Sequence, residues 1–166
     1  IITDKIEKTP HSYVGNSFVL DGINISYKTT CEYCDSIGED VNTTLVNKCY
    51  IEGYGIFDAT LEYLSISEDG TVTPSNATFD NAVIYFPSYV EIGGNVVEVK
   101  TIQGFTGLSI KGVYIPDTVT RIVGGSNGTG CFQNAYDLKN IVVGKGITEL
   151  EAYAFSMNGK SISINE

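Results

Sequence analysis

Val113-Tyr-Ile-Pro-Asp-Thr-Val-Thr-Arg-Ile122 decides the reading of this chain: an apolar triplet, a proline, a short turn, then Val-Thr-x-Ile. The same order returns in Ile141-Val-Val-Gly-Lys-Gly-Ile-Thr-Glu-Leu150. A looser copy runs from Ile84-Tyr-Phe-Pro87 through Val90 to Val99-Lys-Thr-Ile102. Each copy ends on a phenylalanine, at Phe105, Phe132 and Phe155, and a fourth starts at Ser161-Ile-Ser-Ile164. The step from Pro87 to Pro116 is nearly the same as the step from Pro116 to Gly144. The second step contains an insertion in Gly124–Gly130; without it the interval falls well inside the range of known short strand-and-turn repeats, as does Val143 to Ile164. Self-similarity at such a period marks a stacked array, because one strand-and-turn unit cannot bury its own apolar side. Stacking predicts one column of Ile84, Val113 and Ile141 and another of Phe86, Ile115, Val143 and Ile164, with the phenylalanines as a third.

These residues resemble the BspA-like leucine-rich repeats of bacterial surface proteins, whose core runs Ile-Pro-x-x-Val-Thr-x-Ile, a gap, then Ala-Phe. The pieces that carry the resemblance are YIPDTVTRI, GITELEAYAF and IGGNVVEVKTI, within roughly residues 82–166. Cys131 stands where the family has Ala, and Gly144 where it has Pro. The resemblance implies a mainly β or α+β fold, a short solenoid of about three to four repeats over 81–166. An irregular β-rich N-terminal cap or small domain is expected over 1–80. It also implies a secreted or cell-surface adhesion module.

The first half has no period. Val14 to Tyr27 reads as one or two strands broken at Asp21-Gly22. Cys31 to Cys49 is polar and reads as loop or turn, and Tyr50 to Ile66 as two strands around Gly53-Tyr54-Gly55 or a short helix across Phe57 to Tyr63. Glu68-Asp69-Gly70 is a turn before Thr71-Val-Thr73. Across 166 residues, 42% are hydrophobic and 18% charged, and 18 glycines suit a β-rich globular chain with many tight turns. A net charge of −10 repels phosphate, which argues against nucleic acid and anionic membrane surfaces as partners. The chain starts at Ile1 rather than Met, so an upstream signal or anchor is expected to have been removed, leaving it outside the cell.

Cys31-Glu-Tyr-Cys34 and Cys49 cluster in one short stretch. One disulfide, from Cys49 to Cys31 or Cys34, is the favoured reading, since an exported loop gains from the constraint. A zinc site of His11, Cys31, Cys34 and Cys49 is the weaker alternative, because no second Cys pair matches the first. Free thiols remain open, and Cys131 reads as a small buried hydrophobe. With His11 as the one histidine, no nucleophile motif and no phosphate-binding loop, the sequence predicts no catalytic residues, no cofactor and no enzyme.

In the predicted register Tyr85, Tyr114, Val142 and Ser163 point away from the core onto an exposed sheet face. Tyrosine offers rigid contact area with a hydroxyl, so this row reads as a stripe for a protein or glycan ligand, on a host or neighbouring cell. A sheet-stabilising ladder is the competing role. The second functional reading is a structural envelope or pilin-like subunit. There Ile1-Ile2 and Ile6 would be the stub of a removed hydrophobic helix, ended by Pro10.

Overall fold

The computed structural model describes residues 13–34, 36–125, 129–156 and 164–165. His11, Ser163 and the Ile1–Ile6 stub therefore lie outside the described residues. The chain divides into two compact units between Thr44 and Leu45.

The first unit holds an antiparallel three-stranded sheet of β1 (Tyr13–Asp21), β2 (Asn24–Cys31) and β3 (Ile37–Thr44), in that order. The break expected at Asp21-Gly22 is a tight hairpin turn, in which Gly22 takes a left-handed φ of 59°. The loop expected after Cys31 is instead largely β3, paired with β2 from Asn24↔Thr44 to Thr30↔Ile37. Its Ile-Gly-Glu-Asp-Val-Asn-Thr-Thr sequence carries only Ile37 and Val41 as apolar residues and lies at a sheet edge, so apolar alternation does not reveal it.

The second unit starts with a hairpin of β4 (Lys48–Ile51) and β5 (Gly55–Asp58). A single 3-10 turn at Leu61–Tyr63 stands where a helix was the competing expectation. Then come β6 (Leu64–Ile66), β7 (Thr71–Pro74), β8 (Ala82–Tyr85), and a second hairpin of β9 (Tyr89–Ile92) and β10 (Asn95–Glu98). The remaining strands are β11 (Thr101–Ile102), β12 (Ile110–Ile115), β13 (Arg121–Ile122), β14 (Asn140–Val143), β15 (Glu149–Leu150) and β16 (Ile164–Asn165). From β11 onward the chain alternates between two sheets. One has the order β16-β14-β12-β8, all parallel; the other is β15-β13-β11-β7-β6, parallel except for β6.

The register agrees with the sequence for most rows. Ile84, Val113 and Ile141 are paired neighbours, and Val143 lies beside Ile115. In the other sheet Val72, Ile102, Ile122 and Leu150 form one row, so Thr71-Val-Thr73 belongs to the array ahead of residue 82. Ile164 departs: it pairs with Ile141, not Val143. The step from Ile141 to Ile164 matches the interval the array shows once its insertion is removed.

One apolar cluster fills the space between the rows. It contains Ile84, Phe86, Val113, Ile115 and Ile141 from the first sheet side, Val72, Ile102 and Ile122 from the second, and Phe105 and Phe132, none more than 1% exposed. The phenylalanines form a continuous ladder. Phe79 meets Phe105 edge-on at 6.4 Å, Phe105 stacks on Phe132 at 5.6 Å, and Phe132 stacks on Phe155 at 5.1 Å. Phe86 adds an edge contact to Phe105 at 5.3 Å. Each such pair contributes about 0.5–1.5 kcal/mol beyond its buried area. Cys131 sits in this core as expected, and burial pushes its thiol up to about 12. Because Phe132 touches three other rings, Phe132→Ala is expected to cost about 3–5 kcal/mol, read from the shift of the urea midpoint.

Candidate functional site

The tyrosine row is where the structure departs most from the sequence reading. Tyr85, Tyr114 and Val142 are indeed register neighbours on one face, with Asn165 next to Val142; Ser163 lies outside the described residues. That face is not open. The β4–β5 hairpin covers it, packing Cys49 and Ile51 against Val142, which is only 3% exposed. Tyr85 and Tyr114 stack at 4.4 Å and 17°, and Phe57 of the hairpin lies 5.1 Å from Tyr85 and 5.7 Å from Tyr114. The row is thus a packed aromatic seam. Burial raises the Tyr85 hydroxyl above its ordinary pKa, with Tyr114 adding to it.

Polar groups hold the hairpin in place. Asp117 donates its backbone N–H to the Tyr50 carbonyl at 3.1 Å. Its carboxylate accepts the N–H of Glu52 at 3.0 Å and of Lys145 at 3.1 Å, so one side chain joins three turns. Partial burial raises its pKa, and the Lys145 N–H works against that shift. Gly144 is the partner of this clamp: a Cβ there would fall 2.5 Å from the Asp117 Oδ1 and 2.6 Å from its backbone nitrogen. A proline or any other side chain cannot occupy the position while Asp117 holds it. Ser88, the one buried polar side chain among the described residues, accepts the Tyr50 N–H at 3.1 Å. Thr60 ties the end of the hairpin to Tyr85 through backbone and hydroxyl bonds.

Of the cysteines, Cys31, Cys49 and Cys131 are buried and Cys34 is exposed. Cys49 is fully buried in the second unit and donates to the Tyr114 carbonyl at 3.5 Å; burial, with Asp117 nearby, pushes its thiol far up. It packs as a small hydrophobe beneath the seam. Cys31 ends β2 and Cys34 lies in the turn that follows, where the Cys34 thiol donates to the Ser36 hydroxyl at 3.2 Å. Among the described residues no three His, Cys, Asp or Glu side chains converge as a metal site.

Two surfaces of the second unit stay open. The outer face of the five-stranded sheet is polar, with Thr71, Thr101, Arg121 and Glu149 in one row. Arg121 is ion-paired to Glu149 at 3.1 Å and to Glu151, and holds the Glu151 carboxyl below its ordinary range. The other surface is an apolar groove of about 590 Å³ lined by Ile51, Tyr54, Ile122, Val143, Leu150 and Phe155. Leu150 is 56% exposed and Tyr54 41% exposed, while Glu52 and Lys145 form an ion pair at the rim. Sequence reading gave Leu150 only as the end of a repeat segment and Tyr54 as part of the Gly53-Tyr54-Gly55 break between two strands; the end-on geometry of the rows brings them together. The insertion at Gly124–Gly130 is pinned at both described ends, by the Gly124 N–H on Glu151 and the Gly130 carbonyl on the Thr106 hydroxyl.

Comparison with protein families, curated proteins and solved structures gave no match to this chain.

Two outcomes follow from this geometry. Tyr114→Ala removes a ring stacked on Tyr85 and tilted against Phe57, and is expected to lower stability by about 2–4 kcal/mol in denaturant titration. In native protein the buried Cys49 and Cys131 are expected to resist a thiol reagent and to react only on unfolding, followed as thiol titration with and without denaturant.

Proposed function

We propose that this chain is a secreted or cell-surface recognition module, not an enzyme, and that its C-terminal half is a short BspA-like leucine-rich-repeat solenoid. The alternation of the chain between two parallel sheets, with strands recurring at a short and near-regular interval in each, supports the solenoid reading. The observation that carries the recognition reading is the apolar groove at Leu150. A concave apolar surface with exposed Leu and Tyr and a charged rim has the anatomy of a protein-binding site. Its lining offers few hydrogen-bonding side chains, which favours a protein over a glycan. The net charge of −10 keeps such a module soluble and away from nucleic acid.

The test is saturable binding of the soluble chain to purified extracellular-matrix proteins or intact cell surfaces, by surface plasmon resonance or flow cytometry. Leu150→Asp is expected to weaken binding at least tenfold, about 1.4 kcal/mol, with an unchanged melting temperature because the side chain is exposed. Binding to none of these surfaces, or equal binding by the variant, counts against the reading.

A further inference from the structure

One hydrogen-bond pattern recurs along the five-stranded sheet. The Gly70 carbonyl accepts two successive N–H groups, from Lys100 at 3.0 Å and Thr101 at 3.3 Å. The Lys100 carbonyl does the same for Thr120 at 2.9 Å and Arg121 at 3.0 Å, and the Thr120 carbonyl for Thr148 and Glu149 at 2.9 Å each. Further along each strand, the carbonyls of Val72, Ile102 and Ile122 accept the N–H groups of Gln103, Val123 and Glu151 at 2.9–3.1 Å. The next acceptors in these two series are the carbonyls of Thr148 and Leu150. β15 is the edge strand, and among the described residues no strand pairs with its outer side.

Side chains add specificity to that edge. Val72, Ile102 and Ile122 are covered by the following row, whereas Leu150 is left 56% exposed at the groove. On the sheet's outer face Arg121 sits across the strand pair from Glu149 and is ion-paired with it, so a cation in the next row would meet Glu149 from the other side. Glu151 adds a second negative charge on the same strand end. Extended peptides add to such edges through main-chain bonds, with alternate side chains setting specificity.

We propose that the outer edge of β15 is a strand-addition site for an extended segment of a partner protein. The segment runs parallel to β15, gives two successive N–H groups to the Thr148 carbonyl, and carries a basic residue beside Glu149 followed by an apolar one over Leu150. The proposal rests on the recognition reading above and names the class of ligand for the same groove. Thr120-Arg121-Ile122 already presents this order to the inner side of β15, which supplies the probe.

The test uses the whole chain and a capped peptide with the sequence of residues 117–123, followed by amide chemical shifts and fluorescence anisotropy. Saturable binding is expected, with shifts centred on residues 148–151. Methylating the two peptide nitrogens corresponding to Thr120 and Arg121 is expected to weaken it at least tenfold, as is the Arg121→Glu peptide. Leu150→Asp in the protein should do the same, and the methylated peptide keeps the test independent of any variant's folding. No binding, equal binding by the methylated or Arg121→Glu peptide, or shifts elsewhere overturns the proposal. So does a dimer in sedimentation that the peptide dissociates, which assigns the edge to a second copy of this chain. Failure here with retained matrix binding removes strand addition and leaves the recognition reading standing; peptide binding without any matrix or cell-surface ligand does the reverse.

Discussion

Everything in the second unit depends on one constraint: a very short strand with a single apolar side has nothing to pack against until the next row arrives. Ile102 and Ile122 each belong to a strand barely longer than themselves, yet both are fully or almost fully buried. Their burial comes from neighbours in the row and from the phenylalanine ladder, not from their own strand. The parallel pairing follows, since a chain that returns to the same sheet in the same direction must cross over, and here it crosses by way of the opposite sheet. Short strands suffice because the crossover also contributes to the core.

The hairpin at residues 48–58 shows how the outer side of such a sheet can be put to use. Parallel sheets are ordinarily covered on both faces, and Val142, Tyr85 and Tyr114 behave as a second, thinner apolar layer that needs a lid. Asp117 fixes that lid by satisfying two backbone donors at once, which a turn of this tightness would otherwise leave to solvent. Gly144 is required by the same contact, so the position where the resembled family carries proline reads as a consequence of the clamp rather than as decay of the pattern.

The periodic part of this arrangement was legible in the sequence because apolar spacing and the recurring phenylalanines report core columns directly. Ile84, Val113 and Ile141, and the Phe105, Phe132 and Phe155 ladder, were placed by spacing alone. The tyrosine row was put on the correct face and given the wrong surroundings, because nothing in a repeat period says that a hairpin outside the array folds back over it. β3 escaped notice for a different reason: an edge strand with only two apolar residues, Ile37 and Val41, has too little apolar rhythm to detect. The groove at Leu150 could not be read either, since it arises from how turns of separate rows meet and not from any motif. The burial of Cys49 beneath the seam was likewise hidden, since spacing does not encode what packs over a side chain.

The regular register has a consequence for how the chain reaches its folded state. Along the five-stranded sheet the partners Val72, Ile102, Ile122 and Leu150 are separated by similar lengths of chain, the longest only about half again the shortest. Loop-closure entropy grows only with the logarithm of length, so the cost of adding a row differs by only about 0.4 kcal/mol across that spread. No single pairing is a bottleneck. The second unit is therefore built to assemble by extension from any adjacent pair of rows, at a moderate speed set by many similar closures rather than one distant one.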